Sequence, residues 1–271
     1  MRALGSWKNP PLAYVVAELA ISAHYGLAAR IPALQESLRD RYPRTSELSE
    51  ILITNVFVPQ PPNTALPLPQ SPQQRWHLLD TDNTRAVDVS HRAIGLHATV
   101  YEDSTDFLER WERVLTAIEQ SGADVFVERI GLRYVDMIVP SDGYTTADYL
   151  VASLRGPSPL ANAQVHSSIW AFGFAIDGTM IQVRTATPAP VGLLLPPNLS
   201  AVALQMPKVL LAAQANVAAQ KPIGWIDTDA GRDVRRPLRA SELLPIYADV
   251  HRQMSLAFQS LLSDHARREW E

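Results

Sequence analysis

The sequence predicts an α+β fold built from two repeats, each made of strands and helices. Segments with alternating apolar residues recur along the chain, and other segments carry apolar residues at helical spacing. Each half of the chain also reads in the same order: one strand, one helix, four strands and a final helix. We therefore expect two α+β repeats, residues 1–122 and 123–271, that together make a single structural unit.

The first repeat opens with a strand at 12–22, a segment rich in Val, Leu, Ile and Tyr. Apolar residues at helical spacing predict an amphipathic helix over 28–42, which Pro43 ends. Four more segments have the composition of strands, namely residues 49–58, 76–80, 86–91 and 94–101.

A second helix, from 104 to 122, is predicted to close the first repeat. Ser104, Thr105 and Asp106 are candidate N-caps, because their side-chain oxygens can accept hydrogen bonds from the free backbone N–H groups of a first turn. Six prolines fall within 59–74, between the second and third strands, and predict an irregular loop inside this repeat.

The second repeat is predicted to start with a strand at 125–139 and a short helix at 146–154. Asp177-Gly178 is a strong signal for a hairpin turn between two further strands. The remaining strands of this repeat are residues 165–176, 180–187, 201–212 and 222–229. A long amphipathic helix over 241–268 is the last predicted element.

The centre of the chain, RIGLRY at 129–134, resembles the central motif of a sporadically distributed bacterial protein family that has no assigned function. The resemblance extends to NPPL at 9–12, to WIDTD at 225–229 and to a last helix that contains His251 and Phe258. The family brings no catalytic residues. Its patchy distribution is similar to that of defence, mobile-element and toxin–antitoxin genes, which implies a role in a multi-protein bacterial system.

The predicted order of elements is similar to the TATA-binding-protein-like fold. In that fold two such units form one curved antiparallel sheet with helices on one face. Helix-grip binding proteins use a related sheet with one long C-terminal helix. The resemblance therefore implies either a TATA-binding-protein-like or a helix-grip-like arrangement.

The strand at 125–139 supplies the candidate site. With a period of two residues, Arg129 and Arg133 point one way, whereas Tyr134 and Asp136 point the other. A charged Arg that faces a core is costly unless it is paired. The two arginines therefore either form ion pairs with cross-strand carboxylates such as Asp227, or line a surface that binds an anionic ligand or a phosphate backbone. The ligand-binding candidates are Arg129, Arg133, Tyr134 and Asp227.

Composition and missing motifs limit the chemistry. The chain has no cysteine, which excludes disulfides, thiolate metal sites and a cysteine nucleophile, and fits a cytoplasmic location. It carries no nucleotide-binding glycine motif and no paired metal-ligand spacing. We therefore expect no catalytic residues, no metal and no cofactor. The net charge of −4 does not favour nucleic acid as a partner.

The segment 185–220 is the candidate interaction surface, because Lys208 is its only charged residue. An uncharged surface of this length belongs either to the core or under a partner. Five prolines interrupt it, which argues against a membrane helix. We expect a protein partner or a second copy of the chain at this segment, and no membrane.

Three functions follow as hypotheses. The first is a non-enzymatic, cytoplasmic binding or assembly protein of a bacterial multi-protein system linked to defence or mobile elements. The second is a binder of small anionic ligands, or an enzyme, that uses an arginine-lined pocket. The third is a nucleic-acid binder on the curved face of the sheet.

Overall fold

The protein has an α+β architecture built on a nine-stranded antiparallel sheet. The computed structural model describes residues 7, 9–50, 73–156, 165–189, 196, 206 and 222–271, and for residues 48–50 and 73 the backbone alone. The strands are β1 (Leu12–Ile21), β2 (Arg44–Glu50), β3 (Gln73–Leu79), β4 (Arg85–Ser90), β5 (Ala93–Ala98), β6 (Phe126–Ile138), β7 (Ile169–Ile176), β8 (Thr179–Ala186) and β9 (Gly224–Pro237).

The strand order is β2-β3-β4-β5-β1-β6-β9-β8-β7, so the first strands of the two halves lie side by side at the centre. Each neighbouring pair is antiparallel. The longest ladder joins β6 to β9, from Phe126 opposite Pro237 to Ile138 opposite Gly224. The turn between β7 and β8 is Asp177-Gly178, and both residues have the positive φ that this type of hairpin requires.

The helices are α1 (Ile31–Leu38), α2 (Ser104–Gln120), α3 (Ala240–Leu261) and α4 (Asp264–Trp270). Short 3₁₀ helices cover Tyr25–Arg30, Thr146–Tyr149 and Ala152–Leu154. Within the described residues, no helix has the length and apolar composition needed to cross a membrane.

The main core lies between the helices and one face of the sheet. Val15, Ala17 and Leu19, which alternate along β1, share this core with the apolar sides of α1, α2 and α3. At the crossing of α2 and α3, the rings of Trp111 and Tyr247 meet edge to face with their centroids 5.8 Å apart. On the other face of the sheet, a small apolar cluster contains Tyr14, Leu79, Ala86, Val135 and Met206.

Several predicted elements differ from the observed ones in where they begin or end, or in the type of helix. The helix predicted at 28–42 is a 3₁₀ turn followed by the shorter α1. The strand predicted at 49–58 begins earlier, at Arg44, and its residues 51–58 lie outside the described part. The short helix predicted at 146–154 is two 3₁₀ turns, and the strand predicted at 222–229 continues to Pro237.

The long helix predicted at 241–268 is two helices, because the chain breaks at Leu262 and Ser263. Leu262 pairs with Leu150 in a short antiparallel bridge, and the Ser263 hydroxyl accepts a hydrogen bond from the backbone N–H of Ala266, 3.2 Å away. Ser263 therefore caps a new helix, which changes the direction of the chain.

Other predictions fall on residues outside the described part. These are the strand at 201–212 and nearly all of the proline-rich loop at 59–74, of which 73 and 74 belong to β3. Of the segment 185–220, the structure describes 185–189, 196 and 206.

Candidate functional site

The four candidate residues from the sequence lie on opposite faces of the sheet. Arg133 is opposite Val16 and Asp229 in neighbouring strands, on the face that points away from the helices. Tyr134 points the other way and packs against the main core under the helices. The structure thus separates Tyr134 from the two arginines, as the alternation in the sequence predicts.

Arg133 and Asp227 form an ion pair in the sheet. The Nε of Arg133 lies 2.7 Å from Oδ1 of Asp227, and its Nη2 lies 2.9 Å from Oδ2. Nη2 of Arg184, in β8, lies 2.7 Å from the same Oδ2. Burial acts against the charge of Arg133, but the hydrogen bonds and charge of Asp227 outweigh it and raise the pKa of the guanidinium. Two cations therefore share one carboxylate, and this carboxylate is 0% exposed.

Arg129 lies apart from this ion-pair cluster. Its side chain is exposed and its guanidinium lies over Gly231, where a Cβ atom would overlap it. Among the described residues, no carboxylate comes within 4.0 Å of the guanidinium; Glu18 and Asp229 act on it from farther away. Arg133 and Asp227 are thus brought together, while Arg129 and Tyr134 join neither of them.

A pocket on the helix side of the sheet has the features of a ligand site. It opens to solvent between the sheet and α3, and the volume inside it that the centre of a water-sized sphere can reach is about 70 Å³. Its lining residues are Trp7, Pro10, Leu12, Tyr101, Tyr134, Asp136, Thr228, His251, Met254, Ser255 and Phe258.

Backbone register brings the pocket residues together. Tyr134 and Asp136 are alternate residues of β6, so they share the helix face, and Thr228 of β9 is directly opposite Tyr134. A register shift in β1 places Leu12 opposite Asp136. His251 lies one turn before Ser255 on α3, on the side that faces the sheet.

The N-terminal segment closes one side of the pocket. The backbone N–H of Asn9 donates to the carbonyl of Trp270 in α4, 3.2 Å away. The rings of Trp7 and Trp270 meet edge to face with centroids 6.3 Å apart. Because α4 starts a new direction after Ser263, it holds Trp7 against the pocket.

Aromatic rings form one wall. The rings of Tyr101 and Tyr134 meet edge to face at 5.8 Å, and their hydroxyl oxygens are 3.5 Å apart. The imidazole of His251 lies against Tyr134 with a centroid distance of 5.7 Å. Burial raises the pKa of Tyr101 to about 12 and the pKa of Tyr134 well above its ordinary value, and it lowers the pKa of His251. All three rings are therefore neutral near pH 7.

Two polar groups in the pocket have no hydrogen-bond partner among the described residues. The Asp136 side chain belongs to a residue only 6% exposed, and no described residue makes a hydrogen bond with its carboxyl group. The hydroxyl of Thr228 is also buried without a hydrogen-bond partner. Burial, reinforced by the charge of Asp227, raises the pKa of Asp136 to about 8. Both groups reach the same apolar space.

The chemistry of this lining suits binding. Its polar side chains are a carboxyl, four hydroxyls and an imidazole, from Asp136, Thr228, Tyr101, Tyr134, Ser255 and His251. Ser255 and His251 are adjacent on α3, but no hydrogen bond joins them in the described structure. Within the described ranges, no group of three or more His, Asp or Glu side chains is placed to hold a metal ion.

Sequence reasoning named Tyr134 but missed the rest of this pocket. One signal was present, since Asp136 shares a strand face with apolar residues. An unpaired carboxyl at such a position is uncommon and marks candidate functional sites. Trp7, Tyr101 and His251 gave no comparable signal, because docking of separate segments alone places them together.

Comparison with known proteins gives no assignment: no family model, curated protein or solved structure matches the chain. The resemblance to the bacterial family with the RIGLRY motif therefore stays a prediction.

Proposed function

We propose that the protein is a non-enzymatic binding protein whose pocket between the sheet and α3 holds a small, largely apolar ligand. The observation that carries the proposal is that two polar groups in an aromatic pocket, the carboxyl of Asp136 and the buried hydroxyl of Thr228, make no hydrogen bond with any described residue. A buried polar group without a hydrogen bond costs about 1–3 kcal/mol. A ligand that supplies the missing hydrogen bonds offsets this cost on binding, so the pocket favours an occupant with both an apolar body and a polar head.

The arginine-lined site is a weaker candidate for anions. Arg133 and Arg184 are both bound to Asp227, and an anionic ligand would have to compete with that buried carboxylate. Arg129 is exposed on this face, and no carboxylate of the described residues lies within 4.0 Å of its guanidinium. One exposed guanidinium gives little affinity by itself.

We also propose that the sheet arose from two equivalent units, as in the TATA-binding-protein-like fold. The order of strands supports this: β1-β5-β4-β3 in one half is matched by β6-β9-β8-β7 in the other. Each half places its first strand at the centre and follows its innermost hairpin strand with a long helix, α2 or α3. Crossing of α3 over the pocket fits the helix-grip alternative equally well.

The remaining parts of the function stay predictions from the sequence. A protein partner or second copy at 185–220 involves residues that lie mostly outside the described part. Cytoplasmic location, a link to bacterial defence or mobile elements, and nucleic acid as an alternative partner rest on composition and on the family resemblance.

A blocked pocket tests the proposed function. The probes are three small molecules with one phenylpropyl body and different heads: 3-phenyl-1-propanol, 3-phenyl-1-propylamine and 3-phenylpropionate. Saturation-transfer NMR on the full chain should show binding of at least one probe. In Ser255→Phe a ring replaces a small, partly exposed pocket residue, so binding should weaken about tenfold or more.

The matched control is Ser260→Phe, which adds the same ring to an exposed position of α3 outside the pocket lining. It should bind the probes like the wild type. If none of the three probes binds the wild type, or if both variants bind equally well, the pocket is not the ligand site.

A further inference from the structure

We infer that the pocket recognises an organic cation, a primary ammonium group carried on an apolar or aromatic body, through Asp136 and Thr228. This inference rests on the proposed function, because it assigns the chemical class of the ligand to the same site.

The first argument is the supply of acceptors. The two groups without a partner among the described residues present oxygen atoms, the carboxyl of Asp136 and the hydroxyl of Thr228, and the hydroxyls of Tyr101 and Tyr134 line the same pocket. No Arg or Lys is among the described lining residues. A ligand carboxylate or phosphate would find no cation among these residues, whereas an ammonium group brings three donors that these oxygen atoms can accept.

The second argument is the aromatic wall. A cation is attracted to the face of an aromatic ring within about 6 Å of its centroid, and the attraction grows when the site excludes water. Tyr134 is the neighbour of Asp136 on the helix face of β6, and Tyr101 packs against it. A cation held by the carboxyl therefore lies beside two tyrosine rings.

The third argument concerns charge balance. Four titratable groups face or act on the Asp136 carboxyl from the packed elements: Tyr101 after β5, Tyr134 in β6, His251 in α3, and Asp227 in β9 through the sheet. The first three are neutral near pH 7, and Asp227 is paired with Arg133 and Arg184 on the other face of the sheet. No described positive group neutralises Asp136 on the pocket side. An ammonium ligand supplies that charge and allows the carboxyl to ionise.

Binding of the ammonium ligand releases one proton from Asp136. The free pocket holds a protonated Asp136 below about pH 8, and the ammonium ligand pairs with the ionised carboxylate. The proton of the carboxyl goes to solvent, while the ligand keeps all of its own protons. Binding of a cation therefore strengthens as pH rises, by up to about tenfold per pH unit below the pKa of the carboxyl. Binding of a neutral ligand needs no proton release and does not strengthen with pH.

The test compares 3-phenyl-1-propylamine with 3-phenyl-1-propanol on the full-length wild type, Asp136→Asn and Asp142→Asn. Titration calorimetry at pH 6.0, 7.0 and 7.5 gives Kd and, in two buffers of different ionisation enthalpy, the number of protons released. For the wild type we expect the amine to bind at least tenfold more tightly than the alcohol at pH 7.5. Its Kd should fall between five- and tenfold from pH 6.0 to 7.0, with close to one proton released.

The two variants distinguish a pocket that recognises a cation from a pocket that binds its ligand without regard to charge. Asp136→Asn should lose the preference for the amine and its pH dependence, yet still bind the alcohol and unfold cooperatively. Asp142→Asn removes an exposed carboxylate outside the pocket lining and should behave like the wild type. If the alcohol binds as tightly as the amine, or if Asp136→Asn keeps the preference, the assignment of a cation is overturned and pocket binding stands. If neither probe binds the wild type, the inference fails, and the proposed function fails with it only if 3-phenylpropionate does not bind either.

Discussion

Among single residues, Asp227 carries the clearest structural role. It lies fully buried in β9 and accepts hydrogen bonds or ion pairs from two arginines, Arg133 of β6 and Arg184 of β8. The side chains of these arginines are 13% and 24% exposed, so each keeps some contact with solvent. The sequence predicted that Arg133 either pairs with a strand carboxylate or binds a ligand. In the structure it pairs with Asp227, because the register of β6, β9 and β8 brings the two arginines to this carboxylate.

Removing the shared carboxylate should therefore cost more than removing one arginine. Asp227→Ala leaves two partly buried cations facing each other, and loss of one partner of a buried pair typically costs about 3–5 kcal/mol. Arg133→Ala or Arg184→Ala leaves Asp227 with one arginine and should cost less. Urea unfolding of the three variants measures the free energy of unfolding. Near-equal stability of wild type and Asp227→Ala would show that the cluster is not structural and would favour a binding role.

At the scale of the element, the start of α2 shows what local sequence determines and what it leaves open. The sequence predicted the helix at 104–122 and offered Ser104, Thr105 and Asp106 as caps. The observed cap is one residue earlier: the Asp103 carboxylate accepts hydrogen bonds from the backbone N–H of Thr105 at 2.8 Å and of Asp106 at 2.9 Å. Four successive residues can all cap, so the backbone conformation of the preceding loop decides between them.

The N-cap of α2 gives a prediction for this element. Asp103→Ala should lower the free energy of unfolding by about 1 kcal/mol, because it removes two hydrogen bonds and a negative charge at the positive end of the helix. Ser104→Ala, the matched control inside the first turn, should change it much less. Thermal and urea unfolding measure both variants. An equal loss for the two would mean that Asp103 does not act as the cap.

The alternation of β6 was predictable, whereas the termini of other elements were not. Side chains of a strand point to opposite faces whatever the strand pairs with, so Arg133 and Tyr134 had to be on different faces. The end of α3 depends instead on contacts distant in sequence, since Leu262 pairs with Leu150. Helical periodicity continues through this point in the sequence, and the break becomes visible only in the folded chain.

At the scale of the whole molecule, the pocket is a product of assembly. It joins the N-terminal segment at Trp7, the residue Tyr101 after β5, strands β6 and β9, and helix α3. No spacing in the sequence connects these parts, because sheet order, the shift in β1 and the docking of α4 bring them together. The fold class could therefore be predicted from the sequence, while this pocket could not.

The buried carboxyl in this pocket links the stability of the whole molecule to pH. Asp136 has an ordinary pKa of 3.8, and burial raises its pKa in the folded protein to about 8. Between these values the folded protein holds one more proton than the unfolded chain, so its stability falls as pH rises. The contribution is complete below about pH 4 and is lost as pH rises through about 8. In Asp136→Asn this dependence is absent.

The most direct test of the central claim is the titration of Asp136 itself. A ¹³C NMR titration of its side-chain carboxyl carbon, assigned by comparison with Asp136→Asn, reports the pKa in the free protein and with saturating 3-phenyl-1-propylamine. We predict a midpoint near 8 for the free protein and a clear decrease when the amine is bound. A midpoint near 4 in the free protein would show that the carboxyl is solvated or already paired, and would contradict the account.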